Sequence, residues 1–212
     1  MEHHRQAAPE PSILMVPGLH NSGPHHWQSL WEADDSRIVR ADLGMWDQPR
    51  RNVWVTNLGH AIRSLAAPVV VCAHSLGCLA VAWWALLEGE QHEQRVAGAL
   101  LVAPPDCDRT DLDPKLADFA PTPRVALPFP ALLVASRNDP YADISHARQT
   151  ARIWGATFHD AGELGHINAD SGLGRWSDGL ALLRRMTDVG RLTALARTPL
   201  FSGDGRAAAG LA

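Results

Sequence analysis

Val69-Val70-Val71-Cys72-Ala73-His74-Ser75-Leu76-Gly77-Cys78-Leu79-Ala80 joins five apolar residues to a tight small-residue turn and then to a second apolar run. Apolar residues at every position of the first run read as a strand covered on both faces, because a strand with one wet face would alternate. The run from Leu76 to Leu87, almost continuously apolar, reads as a buried helix. Between them stands Ala-x-Ser-x-Gly. Such a strand-to-helix turn lifts the serine above the carboxyl edge of a sheet, exposes its hydroxyl, and places it where the helix N-terminus favours negative charge. Gly77 supplies the small residue two positions after the serine, and Ala73 adds one methyl where glycine is usual two positions before it. The same residues also allow a plainer reading, in which Ser75 only caps the helix.

Working outward, short apolar runs alternate with longer helical patterns, the signature of a parallel sheet with helices on both faces. Six strands are expected: Ile13 to Val16, Arg37 to Arg40, Val69 to Ala73, Ala99 to Ala103, Ala131 to Ala135 and Ala156 to His159. Their order should be 2-1-3-4-5-6 in a single doubly wound, mostly parallel sheet, with Val69–Ala73 and Ala99–Ala103 central. Trp27 and Trp31, and Val55, Leu58 and Ile62, recur at helical spacing. Residues 104–130 carry seven prolines and cannot hold a long regular element. Their charged stretch lacks the apolar face of a lid, so a connector is the preferred reading. The domain should span residues 12–187, with 1–11 and 188–212 as flexible termini.

A nucleophilic serine needs a base and an acid, and on this fold they follow it in the order acid, then histidine. Gly162-Glu163-Leu164-Gly165-His166-Ile167-Asn168 follows the sixth strand, and its glycines free the loop to bring His166 over Ser75. His159, within the strand pattern, is the competing histidine. Asp139 stands just beyond the fifth strand, where a carboxylate can accept the Nδ1 proton and fix the tautomer; Asp106, after the fourth, is its rival. Oxyanion donors are expected from the backbone N–H of Leu76 and from the glycine-bearing loop after the first strand, at Leu19 or, next, His20.

Net charge is −4 with the basic residues scattered, which leaves no electrostatic footprint for nucleic acid or an anionic membrane. Cys72, Cys78 and Cys107 form neither a disulfide framework nor a thiolate metal site, and His3-His4 and His25-His26 lack co-ligands and read as solvated or structural. No cofactor and no metal are expected. The polar opening and the short, interrupted apolar runs argue for a cytoplasmic protein.

Taken together, four stretches resemble the small, lidless α/β-hydrolases of the retinoblastoma-binding protein nine type and their bacterial YdeN-like relatives. They are Val-Pro-Gly-x-x-x-Ser with His-Trp-Gln-x-x-Trp (16–31), Ala-His-Ser-Leu-Gly-Cys (73–78), Ser-x-Asn-Asp-Pro-Tyr (136–141) and Gly-His-Ile-Asn-x-x-Ser-Gly-x-Gly-x-Trp (165–176). The resemblance implies a Ser75, Asp139, His166 triad acting without metal on esters or amides. It leaves amidase or thioesterase chemistry and a non-catalytic binding module as alternatives. Retinoblastoma-protein binding in that group depends on Leu-x-Cys-x-Glu; here Leu76-Gly77-Cys78-Leu79-Ala80 lacks the glutamate, and that partner is not expected.

Overall fold

The computed structural model describes residues 10–66, 68–92 and 95–197. Six parallel strands form one sheet: β1 (Ser12–Val16), β2 (Ile38–Arg40), β3 (Val69–His74), β4 (Val96–Val102), β5 (Ala131–Ala135) and β6 (Thr157–Asp160). Their order is β2-β1-β3-β4-β5-β6, as expected. Five α-helices intervene: α1 (Trp27–Asp34), α2 (Arg51–Ser64), α3 (Leu76–His92), α4 (Ile144–Trp154) and α5 (Ser177–Arg197).

Every residue of β3 and β4 is buried because helices cover both sheet faces. Side chains alternate between two cores. Leu14, Val71, Leu101 and Leu133 point to the layer of α2, α3 and α4, whereas Met15, Val70, Leu100 and Val134 point to that of α1 and α5. Burying one such side chain fully contributes about 1.5–3 kcal/mol. The double-sided core therefore fixes where the carboxyl edge of β3 ends.

Two expectations need correction, and a third is divided between its two readings. β4 starts at Val96, three residues early: Gly98 interrupts the apolar run but sits where the β3–β4 register shifts, and a Cβ there would lie 3.0 Å from Met186 Cε of α5. Helix α5 continues through Gly190 to Arg197, beyond the boundary at 187; residues 1–9 and 198–212 lie outside the described residues. His26 is buried and caps α1 by accepting from Gln28 N–H, so it is structural, while His25 is exposed.

Residues 103–130 pack down as a connector. A 3-10 turn at Pro114–Phe119 buries Leu116 and Phe119, and Leu127 and Phe129 are buried beyond it. Asp118 accepts from Arg51 N–H at 2.7 Å and so satisfies a free donor at the start of α2, whose own N-cap side chain makes no such bond.

Candidate active site

Ser75 follows directly on β3 with φ of 53°, the left-handed conformation that an elbow requires and that costs a non-glycine residue on the order of 1 kcal/mol. Two glycines make the turn possible. A Cβ on Gly77 would lie 2.4 Å from Val16 O and 2.5 Å from Pro17 O, and one on Gly18 would lie 2.8 Å from Ser75 Cβ. The end of β1 and the start of α3 thus press together under the serine, and the β1–α1 loop lies against it. Leu19 and Ser75 border one cleft, and Leu76 begins α3. His20 N–H donates to Trp46 O at 3.0 Å, which commits the second-choice oxyanion donor elsewhere.

The structure brings Ser75, His166 and Asp139 into one hydrogen-bonded chain. His166 Nε2 lies 2.8 Å from Ser75 Oγ, and its Nδ1 lies 2.9 and 3.0 Å from the two Asp139 oxygens. The Asp139 side chain is 3% exposed and that of His166 10%. Tyr141 N–H donates to Asp139 Oδ1 at 2.9 Å and holds the carboxylate in place. The rival Asp106 turns away and pairs with His146 Nδ1 at 3.1 Å. His159 lies within β6, and His166 holds the position next to the serine.

Bracing residues that the sequence reading passed over hold this chain. Asn138 Oδ1 accepts from Gly165 N–H at 2.7 Å and from Ser136 Oγ–H at 2.8 Å, and Ser136 Oγ in turn accepts from Leu164 N–H. Trp27 Nε1–H donates to Ile167 O at 2.8 Å, and Gln28 Nε2–H to Cys72 O at 3.2 Å, so α1 grips both the base loop and β3. The Tyr141 ring lies 4.4 Å from that of His166. These residues stand in the stretches 26–31 and 136–141, whose recurrence as motifs was the available signal.

The cleft above Ser75 encloses about 320 Å3 and has a mixed lining, with Asn21, Asp113 and Asn168 among its polar groups and Leu19, Pro105, Leu116 and Ala169 among its apolar ones. A larger cleft, about 400 Å3, lies between α1, β2 and α5, remote from Ser75 and without a serine, cysteine or histidine on its walls. Chemistry, not size, selects the smaller one. The three cysteines are free and buried, and burial pushes their thiols up, Cys107 to about 12, which keeps them protonated and inert.

The family model described as serine hydrolase matches residues 13–185. The chain belongs to this serine hydrolase family. A YdeN-like hydrolase from Pectobacterium atrosepticum is 31% identical over 85% of this chain and 92% of its own, with a TM-score of 0.74. The ydeN gene product of Bacillus subtilis is 17% identical over 84% and 99%, with a TM-score of 0.65. The type II thioesterase BorB of the borrelidin cluster is 16% identical over 87% and 94%, with a TM-score of 0.60. The last two speak to the fold alone. No curated protein matches the chain. This serine hydrolase is thus similar to the YdeN-like group, as the motifs implied. Among the described residues no helix is long and apolar enough to cross a membrane, and Leu76, Cys78, Leu79 and Ala80 are all buried.

Proposed function

We propose that this serine hydrolase cleaves carboxylic esters of small substrates in the cytosol through an acyl-enzyme formed on Ser75. The observation that carries the reading is the continuous chain from Ser75 Oγ to His166 to the buried Asp139. His166 takes the serine proton as Oγ attacks the carbonyl carbon, and the N–H groups of Leu76 and Leu19 receive the oxyanion. His166 then passes the proton to the departing alkoxide. Water, deprotonated by the same imidazole, attacks the acyl-enzyme; the acid leaves and Ser75 regains its proton. The volume of the cleft, about 320 Å3, favours short acyl groups over long chains.

The test is labelling with a fluorophosphonate probe alongside hydrolysis of p-nitrophenyl butyrate. The probe should modify Ser75 in the wild type, and Ser75→Ala should lose both labelling and turnover. Undiminished labelling of that variant would mean that another nucleophile does the chemistry.

A further inference from the structure

The base loop is fastened residue by residue. Leu164 N–H is held by Ser136, Gly165 N–H by Asn138, and Ile167 O by the Trp27 indole. His166 itself is held through its own carbonyl, which lies 2.9 Å from His74 Nε2. A carbonyl oxygen only accepts, so His74 Nε2 carries the proton. Burial above all, and then the neighbouring His166 and His26 imidazoles, hold the His74 pKa well below the usual histidine range. The ring is therefore neutral, with a single N–H, and that N–H is spent on the His166 carbonyl.

His74 and Ser75 are adjacent in the chain. The elbow and the base are consequently joined twice: Ser75 Oγ meets His166 Nε2 at 2.8 Å, and His74 Nε2–H meets His166 O at 2.9 Å. Asp139 holds the far side of the imidazole at Nδ1, and the His74 bond adds a hold on the backbone of His166, which sets the height of the ring over the serine. The elbow is in turn anchored by Ser75 N–H donating to Val102 O at 2.9 Å. Behind His74 stands His26, edge-on with ring centroids 4.7 Å apart, and its Nδ1 accepts from Gln28 N–H at 3.2 Å. A helix-capping imidazole thus closes the space into which the His74 ring could retreat.

We propose that His74 is a positioning residue of the reaction, setting the height and tilt of His166 over Ser75 through its bond to the His166 carbonyl, with His26 as its backstop. The proposal rests on the reading of Ser75 as nucleophile and His166 as base.

The test uses the full chain and compares His74→Gln, His74→Asn and His74→Leu on p-nitrophenyl butyrate, with Ser75→Ala as blank and melting temperature as the measure of folding. A glutamine amide reaches the place of the imidazole Nε2; an asparagine amide, equally polar, reaches only that of Nδ1. A displaced base lowers kcat rather than substrate affinity, so Asn and Leu should lose about ten- to a hundredfold in kcat with KM within about twofold, while Gln stays within about threefold of wild type. Equal kcat for Gln and Asn, or undiminished kcat for Leu, overturns the proposal. If the Leu variant does not fold, the Gln and Asn pair still decides. Wild type and Ser75→Ala turning over alike would instead overturn the reaction itself, and this role with it.

Discussion

On one side of Ser75 the acid and base loops are held by side chains bonded to backbone: Asn138 to Gly165, Ser136 to Leu164, Trp27 to Ile167 and His74 to His166. On the other side the connector 103–130 buries Leu116, Phe119, Leu127 and Phe129 and is bonded at Phe119 O and Pro123 O by two tryptophan indoles, at Asp118 by Arg51 N–H, and through Leu127 N–H to Trp154 O. Directional bonds locate a backbone to within tenths of an ångström, which acid and base need; apolar packing tolerates changes of side chain if volume is roughly kept. The first wall therefore holds Ser75, His166 and Asp139 in register, and the second supplies Pro105, Asp113 and Leu116 to the cleft.

The largest effect should come from the first wall. Asp139→Asn keeps the size and one acceptor but removes the carboxylate that holds His166 in the tautomer able to accept the serine proton. In serine-protease triads this change costs about ten-thousandfold, and here kcat should fall by about a hundredfold or more while the protein stays folded. Asp106→Asn, whose carboxylate faces His146, should change kcat by less than about threefold. Steady-state kinetics on one ester decides it, and a crippled Asp106→Asn beside a mild Asp139→Asn would reverse the assignment of the acid.

The sequence made the second wall's connection and the triad's order readable, but not the bracing. Apolar runs and the turns after them are local patterns, so the sheet order was readable before any contact was known, and Ser75, Asp139 and His166, which the structure brings within hydrogen-bonding distance, each follow such a run. The bond from His74 to His166 joins residues 92 positions apart, and that from Trp27 to Ile167 joins residues 140 apart. No periodicity encodes such pairs. The partner of His20 N–H was hidden for a similar reason, since it is Trp46 O from another loop. The expected flexible end from residue 188 is helical as far as Arg197, since a glycine such as Gly190 weakens a helix by about 1 kcal/mol without ending it.

A second prediction concerns acid. The His26 pKa is held down to about 4, by burial first and then by Arg40 and His166, and His74 is lowered by burial, His166 and His26. Both titrate near 6.5 once unfolded. As pH falls below that value the unfolded chain binds protons that the folded chain excludes, so stability is complete above about pH 6.5 and declines toward pH 4. At about pH 5 the loss from His26 should be on the order of 2 kcal/mol. Urea unfolding at pH 7.5 and 5.0 measures it. His26→Asn keeps an N-cap acceptor for α1 without a titrating ring, and should lose less stability between the two pH values than wild type. Parallel losses would show that the acid sensitivity lies elsewhere.

The smallest effect should come from the connector wall, and its smallness is what distinguishes the two sides. Leu116 is buried, borders the cleft and makes no bond to Ser75, His166 or Asp139. Leu116→Ala should widen the cleft and leave the catalytic chain in place. The change removes contact with the acyl group of a short ester and makes room for a longer one, a difference worth about 1 kcal/mol for each methylene accommodated. The ratio of kcat/KM for p-nitrophenyl hexanoate over p-nitrophenyl butyrate should therefore rise about five- to thirtyfold relative to wild type, as one or both of the extra methylenes are accommodated. The rate of fluorophosphonate labelling, which reads the nucleophile and base with little call on the acyl site, should change by less than about twofold. The melting temperature will fall, because a truncated buried leucine leaves a cavity, and the comparison must be made where both proteins are fully folded. An unchanged ester ratio combined with a tenfold slower labelling rate would mean that the connector helps to place the reacting groups, and the division of labour between the two walls would not hold.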